Sequence, residues 1–240
     1  MQRAFRFSRV FNFRDVGGYP AHAGRAVRWR RLFRSDALSG LTDEDRPAFE
    51  ALGVRTVVDL RRPRELAAQG RVPDWNGIAY HNIAPEHREW TQTPYVDGTD
   101  PRRYLADRYR DMVEEGAAGF AEVIRVLADE RAAPVVVHCV AGKDRTGLVC
   151  ALTLAALGVP DEVIDDDYAQ STENNRRWVA WAQQNGHPEI EFQPWFASPP
   201  GTMKLFLGEL RERYGSVERY LTTAGLERDQ LDALRNHLLA

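Results

Sequence analysis

The sequence predicts an α/β fold: a central, mostly parallel sheet flanked by helices, with a helical C-terminal part. Three observations predict it. Pro-bounded β-branched runs such as Ala133-Pro134-Val135-Val136-Val137 alternate with helical patterns, as buried parallel strands joined by crossover helices do. The 240 residues, 43% hydrophobic with 13 scattered prolines, suit one globular domain over residues 1–240 with a sizeable core. Internal repeats and low-complexity tracts are missing from the pattern.

The elements follow in order. Residues 10–35 carry short strands and turns, with Gly17-Gly18 and Ala23-Gly24 as turn signals. Thr42-Asp43-Glu44-Asp45 caps a helix running through Leu52, residues 54–60 form a core strand, and Ile78-Ala79-Tyr80-His81-Asn82-Ile83 forms another. A polar loop runs to residue 101, and helices fill residues 102–130. The apolar stretch 148–157 is a helix closed by Gly158. Beyond Pro160 the pattern is helical over residues 161–170, 173–184, 202–214, 217–223 and 227–239. Among these helices lies Gln193-Pro194-Trp195-Phe196-Ala197-Ser198-Pro199-Pro200-Gly201, which marks residues 160–215 as a candidate lid. Trp178, Trp181, Trp195 and Phe196 there either line an apolar wall or pack the helices onto the sheet.

Charge and composition exclude several classes. A net charge of −3, with arginines spread among acids, exerts no global pull toward nucleic acid. Two cysteines make a disulfide framework improbable and favour a reducing, cytoplasmic setting. Met1-Gln2-Arg3-Ala4-Phe5-Arg6-Phe7 lacks an apolar core of signal-peptide length, which leaves only signal-less export, and no run approaches the ~18 apolar residues of stable membrane insertion. His81 and His87 lack metal-ligand spacing, and no metal site is expected. Oligomeric state has no signal in the chain.

The chemistry concentrates in His138-Cys139-Val140-Ala141-Gly142-Lys143-Asp144-Arg145-Thr146-Gly147, where a strand turns into a helix. Backbone N–H groups of such a turn, reinforced by the helix dipole, converge on one spot and hold a phosphoryl dianion. Val140, Ala141, Gly142 and Lys143 supply that cradle. Cys139 at its mouth, beside Lys143 and Arg145, is expected as a nucleophilic thiolate. The planar guanidinium of Arg145 can grip two phosphoryl oxygens, and the Thr146 hydroxyl can stabilise the sulfur. A lone Cys at a strand end is usually a small core residue. Here five residue types match at fixed offsets, whereas Cys150, among Leu148, Leu152 and Leu154, reads as a core thiol. His138 orients the loop by hydrogen bonds. A P-loop kinase is excluded because Asp144 follows Gly142-Lys143 and no Gly precedes Gly142 by five positions.

His-Cys-x5-Arg-Thr-Gly resembles the signature loop of the Cys-dependent protein tyrosine phosphatase superfamily, and Gly142-Lys143-Asp144-Arg145 resembles its bacterial branch. Asn12-Phe13-Arg14-Asp15-Val16-Gly17-Gly18-Tyr19, Leu32-Phe33-Arg34-Ser35-Asp36-Ala37-Leu38 and Gly53-Val54-Arg55-Thr56-Val57-Val58-Asp59-Leu60-Arg61 resemble three further blocks of that branch. The likeness covers most of residues 10–150 and loosens after 160. It implies a phosphomonoester hydrolase of broad or dual specificity, without metal or organic cofactor, acting on phosphotyrosine protein or on phosphoinositide. A rhodanese-like loop would not need Arg-Thr-Gly; a phosphate-recognising module with poor turnover stays as an alternative.

A hydrolase of this kind needs an acid for the leaving group. Asp144 resembles the loop Asp of the bacterial branch; Asp59, at a strand's C-terminal end beside Arg61, and Asp107 or Asp111, about thirty residues before Cys139, are its competitors. Asp59 and Arg61 are also candidate substrate contacts. Lysine is rare in this chain, at Lys143 and Lys204, so Lys143 is a candidate contact for extra substrate phosphates, with a solvated loop charge as the plain alternative.

Overall fold

The computed structural model describes residues 1–75 and 77–240. Five strands form one sheet in the order β1-β2-β5-β3-β4, with β1 (Arg14–Asp15), β2 (Leu32–Ser35), β3 (Thr56–Asp59), β4 (Ala79–Asn82) and β5 (Val135–His138). Only β1 runs antiparallel to its neighbour. Register places Ser35, His138, Asp59 and Asn82 in one row, so four loops leave the carboxyl edge of the sheet side by side. That edge is where α/β proteins place their ligands.

Alternation along the strands fills both faces, because successive side chains point to opposite sides. Val58, Val135 and Val137 pack into a large helical layer; Phe33, Val57 and Val136 pack under the N-terminal segment and α1 (Arg46–Glu50). The larger layer comprises α3 (Pro101–Glu115), α4 (Ala117–Ala128), α5 (Asp144–Ala156), α6 (Asp161–Ala169), α8 (Thr202–Tyr214), α9 (Val217–Thr223) and α10 (Arg228–Leu238). Helix α7 (Ser171–Gln184) precedes the aromatic segment.

The expected helices over 102–130 divide at Gly116, where an added Cβ would lie 2.9 Å from the Glu86 and Met112 carbonyls. Helix α5 starts at Asp144, one turn before the apolar run, which puts Asp144, Arg145 and Thr146 on its first turn. Helix α2 (Pro63–Gln69) has no counterpart in the sequence reading, although Pro63 at its first position and Glu65 accepting from the Arg62 N–H at 2.7 Å are ordinary start signals. No helix among the described residues is long and apolar enough to cross a membrane.

Candidate active site

Residues 139–143 link β5 to α5 as a loop wrapped around Cys139, which is 2% exposed. The carbonyls of residues 140–142 are engaged from outside. Val140 O accepts from the Ala37 N–H at 3.0 Å, Ala141 O from Asn12 Nδ2 at 2.9 Å, and Gly142 O from Asn12 Nδ2 at 3.1 Å and Arg34 Nη2 at 2.8 Å. A trans peptide points its N–H opposite its carbonyl. Anchoring the carbonyls of 140–142 outward therefore turns the N–H groups of Ala141, Gly142 and Lys143 inward, as an anion nest requires. Gly142 permits this course: its φ is +64°, and a Cβ would stand 2.4 Å from Ser35 O.

Behind the loop lies a buried ionic cluster built from the two motif blocks around Arg14 and Arg34. Asp167 of α6 accepts from Arg14 Nε at 2.9 Å, from Arg34 Nη1 at 2.5 Å and from the Tyr19 hydroxyl at 2.9 Å. Burial alone would raise the Asp167 carboxyl, but the two guanidiniums overcome it and hold the group well below the usual range. Arg14 also grips Asn12 Oδ1, fixing the amide that holds the loop. Asp36 receives the Phe11 and Asn12 N–H groups, which seats the segment carrying Asn12; burial pushes its carboxyl up to about 6.

Arg145 leaves the first turn of α5 and meets Glu65 from α2. Its Nη1 and Nη2 contact the Glu65 carboxylate at 2.6 and 2.9 Å, and Nη1 also donates to Leu60 O at 3.0 Å. This fork fixes the plane of the guanidinium. Burial would raise Glu65, yet the Arg145 hydrogen bonds hold it below its usual range, so it stays an anion. A nucleophile in a nest of amides, beside a guanidinium held from behind, is a phosphoryl-transfer geometry.

Comparison with known proteins agrees with that geometry. Residues 5–240 match the tyrosine phosphatase family. The chain is 34% identical to the triple specificity protein phosphatase PtpB of Mycobacterium tuberculosis, across 96% of this chain and 97% of that protein. It belongs to the tyrosine phosphatase family. A putative tyrosine-protein phosphatase of Cupriavidus necator is 30% identical across 98% of this chain and 88% of its own. Among solved structures, P. aeruginosa TpbA in complex with phosphotyrosine aligns over 87% of this chain and 86% of that one, at TM-score 0.36 and 17% identity. The chain is thus a Cys-dependent protein tyrosine phosphatase, with a mixed sheet flanked by helices as the sequence predicts.

Within this phosphatase the sequence-predicted residues separate into two groups. Cys139, Val140, Ala141, Gly142, Asp144, Arg145 and Thr146 come together at the loop and the first turn of α5. The Thr146 hydroxyl is fully buried and bonds to no protein group among the described residues. Asp144 is partly exposed and accepts the Tyr109 hydroxyl at 2.7 Å.

Asp59 and Arg61 require a correction: both are completely buried and closed on each other. Arg61 Nε and Nη2 reach the two Asp59 oxygens at 2.9 and 2.7 Å, and the Tyr80 hydroxyl adds a third donor at 2.9 Å. Burial would raise Asp59, but the Arg61 hydrogen bonds overcome it and keep the carboxyl below its usual range, ionised and without a proton to give. Neither group can touch substrate.

Lys143 is corrected too. Its ammonium, expected as a free contact for extra phosphates, is 3% exposed and donates to Trp195 O at 2.6 Å and Ala197 O at 3.2 Å. Asp107 pairs with Arg103 and Arg110, and Asp111 with Arg108, which leaves α3 no free acid at those positions. Burial pushes the Cys150 thiol up to about 11, consistent with a core thiol. His138 is buried above Asp59, and burial pushes its imidazole down to about 4, so it is neutral.

Glu65, Asn12, Asp167 and Tyr109 were not singled out in the sequence. Trp90, Tyr95 and Tyr104 also went unseen: with Trp195 they form an aromatic group whose neighbouring ring centroids lie 5.2–6.1 Å apart, beside Lys143. Trp195 joins this group, whereas Trp178 packs on Phe196 and Trp181 on Phe11.

Proposed function

We propose that this enzyme hydrolyses phosphotyrosine esters through a cysteinyl-phosphate intermediate carried by Cys139. The outward anchoring of the loop carbonyls carries the reading, since it leaves inward amides and Arg145 around one buried thiol. In the first step the Cys139 Sγ–P bond forms as the ester P–O bond breaks, and Asp144 gives its proton to the leaving phenolic oxygen. In the second, water forms the new P–O bond, the P–S bond breaks, and the Asp144 carboxylate takes the water proton. Phosphate and the Cys139 thiolate are the products. The amides of 141–143 and Arg145 follow the equatorial oxygens through both steps. No metal or organic cofactor enters either step.

The aromatic group beside Lys143 is the surface on which we seat the substrate ring. Lys143 joins the loop to residues 195 and 197, which supports reading residues 160–215 as the cover of a single catalytic unit over 1–240. A wider range, taking in phosphoserine, phosphothreonine or phosphoinositide, is supported by the 34% identical relative named for triple specificity. Turnover of an aryl phosphate, phosphotyrosine, phosphoserine and phosphothreonine peptides and phosphoinositide vesicles, with chelator present, tests the reading. Phosphotyrosine should lead, and Cys139→Ser should abolish every activity. Undiminished turnover in that variant overturns the mechanism, and turnover confined to the lipid overturns the substrate.

A further inference from the structure

The two carboxyl oxygens of Asp144 have different surroundings. Oδ1 accepts the Tyr109 hydroxyl at 2.7 Å and lies 3.0 Å from the Lys143 ammonium; Oδ2 has no protein partner among the described residues. Tyr109 is on α3, fully buried, and its hydroxyl stands 2.6 Å from that of Tyr168 on α6. The two rings meet edge to face, 6.0 Å apart at 88°. Tyr168 in turn packs on the first turn of α5, where a Cβ added to Gly147 would come within 3.3 Å of its ring.

Proton counting sets the direction of this chain. A phenol has one hydrogen, so Tyr109 can donate to Asp144 only if Tyr168 donates to Tyr109. Burial raises both phenols well above their usual range, and both keep their protons. An oxygen receiving donors from Tyr109 and Lys143 has no room for a proton of its own. A protonated Asp144 therefore holds its hydrogen on Oδ2.

We propose that Tyr109, oriented by Tyr168, is the positioning residue that confines the Asp144 proton to Oδ2, the oxygen left free to face the leaving group. This rests on the reading of Asp144 as general acid. In the first step the Oδ2–H bond breaks as the leaving oxygen gains the hydrogen, and the electron pair stays on a carboxylate already held at Oδ1. In the second step the water proton returns to Oδ2.

The test is a series of aryl phosphates with leaving groups of rising pKa, measured on wild type, Tyr109→Phe, Tyr168→Phe, Asp144→Asn and Asp144→Asn/Tyr109→Phe. A misplaced proton harms poor leaving groups and spares good ones, whereas loosened packing harms all alike. In Tyr109→Phe, kcat on the poorest leaving group should fall about tenfold, as loss of one hydrogen bond to a charged group allows, with KM and the best substrate nearly unchanged. Tyr168→Phe should show the same tilt at about threefold, and decides the matter if Tyr109→Phe does not fold. The double variant should be no steeper than Asp144→Asn. If Asp144→Asn steepens the series while both tyrosine variants keep the wild-type slope, the positioning role is wrong and the acid stands. If Asp144→Asn itself leaves the slope unchanged, the acid assignment fails first, and this proposal fails with it.

Discussion

Glu65→Gln is the sharpest probe of how the guanidinium is held, because it keeps the side-chain shape and removes the charge. Arg145 has three acceptors: the two Glu65 oxygens at 2.6 and 2.9 Å and Leu60 O at 3.0 Å. Glutamine retains one oxygen and turns an amide nitrogen toward the other guanidinium nitrogen. One charge-assisted bond disappears, worth about 1.5–3 kcal/mol. If the loss falls wholly on the transition state, kcat drops roughly 10- to 150-fold. KM should move less, since the ground-state phosphate still meets the loop amides. The depressed Glu65 carboxyl also contributes stability present above the ordinary carboxylate range and lost as pH falls through its lowered pKa, and Glu65→Gln should remove that acid-side loss. The assay is kcat and KM on an aryl phosphate for wild type, Glu65→Gln, Arg145→Lys and the double variant. Shared action predicts that the double variant is little worse than Arg145→Lys. Wild-type kcat in Glu65→Gln, or losses that simply add, would refute the reasoning.

Two further outcomes concern the support beneath the loop. Asp167→Asn leaves two buried guanidiniums facing a neutral group, and should cost about 3–5 kcal/mol, a fall in Tm of roughly 10 °C by thermal melting; a Tm within about 2 °C of wild type, the effect of less than about 1 kcal/mol, would rule out the ionic cluster as a support. His138 must take up a proton when the chain unfolds in mild acid, because its pKa sits near 4 in the fold and near 6.5 outside it. Stability should therefore decline as pH falls below about 6.5, by about 3 kcal/mol on reaching 4, and denaturant melts of His138→Gln should show a shallower decline; an identical pH slope in the variant contradicts the buried, neutral imidazole.

The catalytic loop was legible because its residues are contiguous. Cys139, Arg145 and Thr146 need only one strand, one turn and one helix to meet, and each of those has a local signal in the sequence. The motif blocks at Asn12–Tyr19 and Leu32–Leu38 were legible as blocks, but not as what they do: Asn12 and Arg34 act on carbonyls more than a hundred residues away, and the charges of Arg14 and Arg34 are balanced from α6 by Asp167. Glu65 was hidden in a seven-residue helix whose start signals are ordinary ones.

The two misread residues failed for a physical reason. Position at the carboxyl end of a strand says where a backbone lies; it does not say what the side chain meets. Asp59 and Arg61 are two residues apart in extended chain, so their side chains share a face, and a carboxylate beside a guanidinium on one face closes on it before any ligand arrives. That spacing was available in the sequence. Lys143 differs, since besides the neighbouring Asp144 its partners are backbone carbonyls of residues 195 and 197, which no side-chain pattern announces. Rarity of lysine identified a residue with a particular task. The fold set that ammonium against the backbone of residues 195 and 197, away from any free substrate phosphate.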